Sequence, residues 1–524
     1  MYLMPILKKS ANTLLYSKSW RLSSLLLIYF LIWSIAPAFL ASSPPIDVAE
    51  GINWGSEWQL GYYKHPPFSS WVLFSFYQLF GHVGPYLLSQ LYVILTLVLV
   101  YRLGRKALSQ DLAFLGSILT LAVLYYSYPS LEFNHNVAQF PIWAGLYLTF
   151  YNSVTRGKPS DWLLFGVIGG LGMLTKYPVI FLLIPMAIYL VLPKQWSLLK
   201  KPYPWLAAVI MLAVFAPHLY WLITHDWLPL SYAGGRSEEA DAMSGILGGH
   251  LSWLRFVGAQ ITAHIPLIIM LLLSYKSLLK FKDYKKQWSK ELALIWYLWA
   301  APLGVLIVLS LVFGLGLRDM WGSPMWSLSG LLAVSFIAPS AQAMALKKLP
   351  RALLVWLALV TVLMLVYVGV GDKLRHQPSR MQWPEQAIAE QANATWQSIS
   401  SCPMDSVSGD RWLGSLVAMN TGFPSQMISG PAAHSPWMTS QRLQNHGTLV
   451  IWQNGDEVEL PLLQELSVID NADFENSFDN KLLNTSSNQL IKKQGQWQIA
   501  WRDPKAKSPL IIDWVAFVPS RCLK

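Results

Sequence analysis

The chain has 524 residues, of which 54% are hydrophobic and only 13% are charged. About a quarter of the residues of a soluble globular domain are charged, so this composition excludes that class and indicates an integral membrane protein. The formal net charge of +11 does not require nucleic acid as a partner, because the basic residues fall mainly in alternate loops between apolar segments. That asymmetry is the positive-inside rule of membrane proteins.

Runs of about 20 apolar residues predict membrane-spanning helices, because hydrocarbon offers no water to backbone polar groups. The sequence contains eleven candidates, at residues 22–41, 83–101, 112–131, 137–155, 162–175, 177–193, 204–223, 256–274, 292–317, 324–344 and 352–371. The first is expected to be a retained helix rather than a removed signal peptide. The fifth is short and rich in glycine, and we expect it to pack tightly against the sixth.

The first loop, residues 44–82, concentrates ionisable side chains directly after the first apolar run. They are Asp47, Glu50, Glu57, Lys64 and His65. Ionisable groups at the level of the bilayer usually persist where they face a cavity, a partner or a substrate. The alternative is a solvated loop in which Trp54 and Trp58 act as anchors at the membrane interface.

Further polar residues reach the same membrane level if the amino terminus is cytoplasmic. They are Glu132, His135 and Asn136 after the third candidate helix, Lys176 after the fifth, Arg236 in a predicted loop before the eighth, and Arg318 after the ninth. Carboxylates and bases thus alternate across several loops, as a cavity for an anionic substrate with a reacting hydroxyl or amine requires. His264, within the eighth candidate helix, is expected to be a hydrogen-bonded packing residue rather than a ligand.

Residues 372–524 have a different composition and are predicted to form a periplasmic α/β domain outside the membrane. A helix is predicted near 384–400, and the apolar runs 448–452 and 510–517 predict buried strands. Both cysteines of the chain, Cys402 and Cys522, lie in this domain. An oxidising compartment would let them form a disulfide, and the alternative is two buried thiols.

Two motifs resemble a known family. Asp47 after the first apolar run, Lys64-His65-Pro66-Pro67, and the aromatic segment 68–80 look like the integral-membrane GT-C glycosyltransferases of family 39. That family includes the bacterial aminoarabinose transferases acting on lipid A and the protein O-mannosyltransferases. The segment Gly170-Leu-Gly-Met-Leu-Thr-Lys-Tyr-Pro178 is similar to the family element Gly-Leu-x-x-Leu-Thr-Lys-Gly-Pro.

The resemblance implies a fold and an activity. The fold is an α-helical membrane protein of GT-C type with about eleven transmembrane helices in residues 1–371, followed by the periplasmic domain. The activity is inverting transfer of a sugar from a polyprenyl-phosphate donor to a lipid or glycan acceptor, such as a lipid A-like molecule. The implied location is the periplasmic face of the bacterial inner membrane. Val48 follows Asp47 here, so the acidic pair expected of protein O-mannosyltransferases is missing.

Carried over to this chain, the resemblance makes Asp47 the catalytic carboxylate and assigns Lys64 or His65 to the donor phosphate. His65 stands directly before the two prolines, where the family usually has lysine. Asn136 stands where relatives have aspartate, which leaves Glu132 as the candidate second carboxylate. No cofactor is assigned. A divalent metal is compatible with these residues, although an asparagine is a poorer ligand for a hard cation than a carboxylate.

The chemistry supports this assignment without the family name. Displacing a polyprenyl phosphate from a sugar needs positive charge near the leaving phosphate and a carboxylate near the attacking group. Lys64, Lys176, Arg236 and Arg318 are candidates for the first role, and Asp47, Glu50, Glu57 and Glu132 for the second. The alternative is a polytopic transporter or lipid flippase, which would carry ionisable or broken-helix sites near the bilayer midplane.

Overall fold

The computed structural model describes residues 4–278, 289–466, 468–470, 490–505 and 508–524. The α-helices are α1 (Met4–Leu40), α2 (Ile46–Ser56), α3 (Phe68–Phe80), α4 (Gly84–Gly104), α5 (Gln110–Leu119), α6 (His135–Arg156), α7 (Pro159–Thr175), α8 (Ile180–Val191), α9 (Trp196–Leu199), α10 (Pro202–Thr224), α11 (Leu228–Ser244), α12 (Ser252–Leu278), α13 (Lys290–Phe313), α14 (Ser329–Ser335), α15 (Gln342–Arg375), α16 (Glu385–Ile399), α17 (Arg411–Asn420), α18 (Ser440–His446) and α19 (Pro461–Gln464). The strands are β1 (Ser406–Gly409), β2 (Ser425–Ile428), β3 (Thr448–Gln453), β4 (Val468–Asp470), β5 (Leu490–Ile499) and β6 (Leu510–Pro519).

Several helices are suited to crossing a membrane. Within the described residues, six helices are long and apolar enough to cross a membrane. The number of spans rises to as many as eight if each of two bent helix pairs counts as one span. One of these pairs, 110–122 with 124–131, bends by 90° where we predicted a single third span. The predicted tenth span, 324–344, is divided between the 3₁₀ helix Asp319–Leu328 and α14. The helical membrane character is confirmed, whereas the count of eleven is not.

The chain divides into two compact units that alternate along the sequence. Unit one comprises Met1–Phe39, Pro85–Phe215 and Gly235–Leu365, and unit two comprises Leu40–Gly84, Ala216–Gly234 and Val366–Lys524. The first loop therefore belongs to the same unit as the sheet of the carboxyl-terminal region. The domain boundary at residue 371 stays a prediction.

In unit one, the glycines of α7 allow another helix to approach closely. A Cβ atom added to Gly166 would lie 2.5 Å from the carbonyl oxygen of Ala207, and one added to Gly170 would lie 2.6 Å from Val214 Cβ. Small residues permit such close packing of helices. Gly166 and Gly170 therefore pack against α10, whereas Gly172 packs against Val179 at the start of the sixth candidate span, where a Cβ atom would lie 3.0 Å from Val179 Cγ2.

His264 in α12 is a packing residue, as expected. Its Nδ1 lies 2.7 Å from the carbonyl oxygen of Gln260, and its Nε2 lies 2.9 Å from Ser329 Oγ. Both ring nitrogens therefore have a partner inside unit one, which fits hydrogen-bonded packing rather than ligand binding.

Unit two contains a six-stranded mixed sheet in the order β2-β1-β3-β6-β5-β4. Strands β2, β1 and β3 run parallel, β6 is antiparallel to both β3 and β5, and β4 is parallel to β5. Helix α16 and strands β3 and β6 confirm the three elements predicted in this region. The mixed sheet follows from the sequence order, since α17 and α18 separate the parallel strands and supply the crossovers that parallel pairing needs.

Cys402 and Cys522 form the predicted disulfide, with their Cα atoms 5.4 Å apart. The bond joins residues separated by 120 positions in the sequence. Closing a loop of this length stabilises the folded state by about 4–5 kcal/mol in the chain-entropy model.

Candidate active site

The first loop of unit two contains a helix, α2, that places two carboxylates on one side. Asp47 lies in the first turn and is exposed, whereas Glu50 is 5% exposed. Residues three apart lie near one another on a helix surface, so the two carboxylates are neighbours. A helix thus replaces the loop predicted for these residues.

Glu50 pairs with two bases from distant parts of unit two. Lys64 Nζ donates a hydrogen bond to Glu50 Oε1 at 2.6 Å, and Arg411 Nη1 lies 3.4 Å from the same oxygen. Burial lowers the pKa of Lys64, and the carboxylate of Glu50 opposes that shift. Burial also lowers the pKa of Arg411, but Glu50 and neighbouring acidic groups outweigh it and raise the pKa overall.

Aromatic rings surround the amine of Lys64. Its Nζ lies 5.0 Å from the ring centre of Tyr63, 5.5 Å from that of Trp54 and 5.9 Å from that of Tyr232. Rings at this distance attract a cation through their quadrupole. His434 stacks on Tyr63 with the ring centres 4.1 Å apart. The structure therefore holds the lysine charge in an apolar setting with one carboxylate beside it.

Trp54 and Trp58, the alternative membrane anchors, have different roles. Trp54 is 2% exposed and stacks on Tyr62 with the ring centres 5.2 Å apart, so it is part of the core under the first loop. Trp58 is 55% exposed and remains suited to an interface. The first loop is therefore an ordered structure rather than a solvated loop with two anchors.

His65 and Glu57 lie near this cluster in sequence but have other neighbours. The His65 ring is half-buried, and it lies edge-on to Trp54 and Tyr232 with the ring centres more than 6 Å apart. Burial raises the pKa of Glu57, while a hydrogen bond with Ser425 and the charge of Arg442 oppose the shift. Glu57 thus faces β2 at the far end of α2 and does not share the environment of Glu50.

In unit one, Asn136 and Lys176 meet. Lys176 Nζ donates a hydrogen bond to Asn136 Oδ1. Asn134 caps α6 by accepting from the backbone N–H groups of Asn136 and Val137, which fixes the start of that helix. Glu132 and His135 flank the cap in sequence, and His135 is 8% exposed. Of the predicted residues after the third candidate helix, the structure thus brings Asn136 into contact with Lys176.

Arg236 and Arg318, also in unit one, share a carboxylate. Arg236 lies in helix α11, not in a loop as predicted, and its Nη1 pairs with Glu239 one turn later. Arg318 Nη1 lies 3.5 Å from Glu239 Oε2. The i, i+3 spacing in α11 explains the first pair. The two arginines form a group of their own.

Sequence reasoning missed Arg411, His434 and Tyr232. Arg411 is separated from Glu50 by 361 positions in the sequence, so no local pattern could connect them. The one available signal was Asp410, a typical N-cap residue directly before a helical stretch. Among the described residues, no group of three or more His, Cys, Asp and Glu side chains is arranged to hold a metal ion.

Comparison with solved structures identifies the architecture. The crystal structure of ArnT from Cupriavidus metallidurans bound to undecaprenyl phosphate matches with a TM-score of 0.61 and 12% sequence identity, covering 95% of this chain and 98% of that chain. The chain has a GT-C glycosyltransferase fold. The apo structure of the same ArnT gives a TM-score of 0.59 over 96% of this chain and 98% of the other.

Sequence comparisons agree with the GT-C fold. Residues 64–221 match the family model described as dolichyl-phosphate-mannose-protein mannosyltransferase. The lipopolysaccharide core galacturonosyltransferase RgtB of Rhizobium johnstonii is 27% identical over 308 residues, which are 55% of this chain and 59% of RgtB. The lipid A galacturonosyltransferase RgtD of the same organism is 25% identical over 207 residues, 38% of this chain and 43% of RgtD. The chain thus spans at most three-fifths of the length of these curated relatives. The relatives and the fold together support a GT-C glycosyltransferase family.

Proposed function

We propose that this chain transfers a sugar from a polyprenyl-phosphate donor to a lipid or glycan acceptor at the periplasmic face of the bacterial inner membrane. The observation that carries the proposal is the first-loop cluster within a GT-C fold: an exposed carboxylate, Asp47, one turn before the buried Glu50–Lys64 pair. The relatives support the proposal, since RgtB is a lipopolysaccharide core galacturonosyltransferase, RgtD is a lipid A galacturonosyltransferase, and ArnT was crystallised with undecaprenyl phosphate.

Asp47 acts as the general base in this proposal. The acceptor hydroxyl or amine attacks the anomeric carbon, the bond to the donor phosphate breaks, and the proton of the attacking group passes to the Asp47 carboxylate. A single displacement inverts the anomeric configuration. Asp47 suits the role because its side chain is exposed, whereas that of Glu50 is buried and pairs with Lys64. Glu132 remains the candidate for a second carboxylate.

Lys64 and Arg411 meet the leaving phosphate. Counted with Glu50 and Asp47 the group is formally neutral, and it carries one net positive charge once Asp47 has accepted the proton of the attacking group. A dianionic leaving group gains more from attraction to these partly buried cations than it would in water. Lys64 is preferred over His65 because an amine keeps its charge more readily near neutral pH than an imidazole does. Contacts of Glu57, His135, Asn136, Lys176, Arg236 and Arg318 with the substrates stay predictions.

The test is transfer of radiolabelled sugar by the purified chain in lipid vesicles. Undecaprenyl-phosphate donors carrying a neutral hexose, a uronic acid or an aminopentose would be offered with lipopolysaccharide-containing membrane extract. Asp47→Asn should lose about 10²–10⁴-fold in turnover while retaining the fold, because that is the usual contribution of a general base. Glu390→Gln is the matched control, since Glu390 is an exposed carboxylate on α16 in the same unit.

Two outcomes would contradict the proposal. Failure of every donor to label any acceptor would exclude this transfer reaction. Retention of the anomeric configuration in the product, or sugar covalently attached to Asp47, would exclude the single displacement while leaving transfer itself in place.

A further inference from the structure

A cavity of about 360 Å³ lies in unit two beside the first-loop cluster. Its wall includes Tyr63 and Arg411, which it shares with that cluster, and also Ser429, Trp452, Asp456 and Glu457. Pockets for small molecules typically begin at about 300 Å³ and combine aromatic surface with a few polar groups. The cavity therefore has the size and the composition of a ligand site for one or two sugar rings.

The cavity lies at a favoured position of the sheet. Strand β1 lies between β2 and β3, and all three are parallel. The chain passes from β1 to β2 on one side of β1, and then crosses back over β1 to form β3 on its other side. Ligands of such open sheets bind outside the carboxyl ends of the strands, at the point where the strand order reverses. Arg411 follows the end of β1, Ser429 follows β2, and Trp452 is the next-to-last residue of β3. The wall of the cavity is thus built from those three carboxyl ends.

Backbone bonds hold the carboxylate-bearing loop over this edge. The N–H of Glu459 donates to Ser429 Oγ at 3.0 Å, and the N–H of Gly430 donates to the carbonyl oxygen of Glu459 at 2.8 Å. Asp456 and Glu457 directly precede this anchor and are exposed. Asp456, Glu457 and Trp452 line the same cavity, so the two hydrogen bonds help to hold both carboxylates at the wall that contains the Trp452 ring.

The charge of the wall indicates the class of ligand. Asp410, Asp456 and Glu457 bring three carboxylates against the single guanidinium of Arg411, which already pairs with Glu50. Such a wall disfavours a phosphate or a uronic acid. It suits a ring whose hydroxyl or amino groups donate to carboxylates while its apolar face lies on the Trp452 indole.

From these observations we infer that the cavity binds a neutral or amino-substituted sugar ring of the acceptor. That the ring belongs to the acceptor rests on the proposed function. The donor phosphate needs positive charge beside it, whereas the wall of the cavity is mainly negative. Tyr63 and Arg411 then lie between the bound ring and the Glu50–Lys64 pair. They connect acceptor binding to the site where the donor phosphate is displaced.

Sugar binding can be measured without any transfer reaction. Saturation-transfer NMR on the full chain in nanodiscs would use three probes: methyl glucoside, glucosamine and glucuronic acid. We expect methyl glucoside and glucosamine to bind and glucuronic acid to bind at least about tenfold more weakly, a difference of one charge-assisted contact. Glu457→Gln and Trp452→Leu should each weaken binding by about the same factor. Trp452→Phe, which keeps a ring, should weaken it less.

Glu390→Gln is again the matched control, and thermal unfolding of every variant identifies any that has lost the fold. Absence of binding by all three sugars, or equal binding by the parent chain and the folded Glu457→Gln variant, would overturn the inference. Preferred binding of glucuronic acid would overturn the charge argument and with it the class of ligand.

A kinetic measurement separates this inference from the proposed function. If transfer occurs, Glu457→Gln should raise the concentration of acceptor extract for half-maximal rate by about tenfold and leave that of the donor unchanged. Sugar binding without any transfer would retain the cavity assignment and reject the proposed reaction. Transfer with an unchanged acceptor requirement in this variant would reject the cavity and retain the reaction.

Discussion

Two buried lysines, one in each unit, have opposite kinds of partner. Lys64 in unit two is 6% exposed and donates to the carboxylate of Glu50, whereas Lys176 in unit one is 9% exposed and donates to the amide of Asn136. A carboxylate brings a compensating charge to the hydrogen bond with an ammonium, whereas an amide brings only the hydrogen bond. The comparison teaches that two lysines of similar burial can differ in the charge of the group that accepts from them.

The largest effect is expected when the carboxylate beside Lys64 is removed. Glu50→Gln should reduce the free energy of unfolding by about 3 kcal/mol, because it leaves a buried ammonium without its compensating charge. Thermal unfolding of the solubilised chain measures the loss. The double variant Glu50→Gln/Lys64→Met should recover most of the stability and none of the transfer activity. An equally unstable double variant would show that the pair is not the cause.

Glu50→Gln should also change the pH dependence of the transfer reaction. Burial already lowers the pKa of Lys64 and Glu50 opposes that shift, so Glu50→Gln should lower the pKa further. A reaction that needs the charged amine is lost as the pH rises through the lysine pKa. The alkaline side of the pH–rate profile should therefore move to lower pH in the variant. An unchanged alkaline side would mean that the charge of Lys64 is not required.

Replacing either of the two candidates for phosphate binding, Lys64 or His65, should have a smaller effect than replacing Glu50. Lys64→Ala should weaken donor binding about 10–100-fold at every pH, the range for losing a hydrogen bond to a charged group. His65→Ala should have a lesser effect, since a neutral imidazole donates one hydrogen bond at most. Titration with a defined undecaprenyl-phosphate sugar from pH 5.5 to pH 8 distinguishes them. Activity that falls as the pH rises through about 6.5, and no longer does so in His65→Ala, would assign the phosphate to His65.

The smallest effect should come from making the two lysines alike. Asn136→Asp has the same shape but places a carboxylate beside Lys176, which would compete with an anionic substrate for the amine. We expect donor affinity to fall by about threefold to tenfold with little change in thermal stability. Increased donor affinity would show that the amide, and not the charge of Lys176, is what the substrate meets.

The sequence was a good guide wherever chemistry and patterning were local. Helix α16, strands β3 and β6 and the Cys402–Cys522 bond were predicted from apolar runs, turn residues and the count of cysteines. These features depend on residues close in sequence, or on there being only two cysteines to pair.

The rest could not be predicted because it depends on distant contacts or on backbone breaks. The 90° bend between 110–122 and 124–131 lies inside an uninterrupted apolar run, so hydropathy gives no sign of it. Arg411 reaches Glu50 only because the sheet of unit two and helix α2 fold together. The cavity beside Trp452 depends on which strands are neighbours, a property that one sequence does not reveal.

Strand β6 follows every other strand in the sequence, yet it lies inside the sheet between β3 and β5. During synthesis β3 therefore has an open edge until residues 510–519 have left the ribosome. An open strand edge is a template for pairing with other chains. Completion of the sheet of unit two thus becomes a late event in biogenesis. Interruption of synthesis before β6 should yield chains whose membrane helices are inserted but whose exposed strands attract chaperones or aggregate.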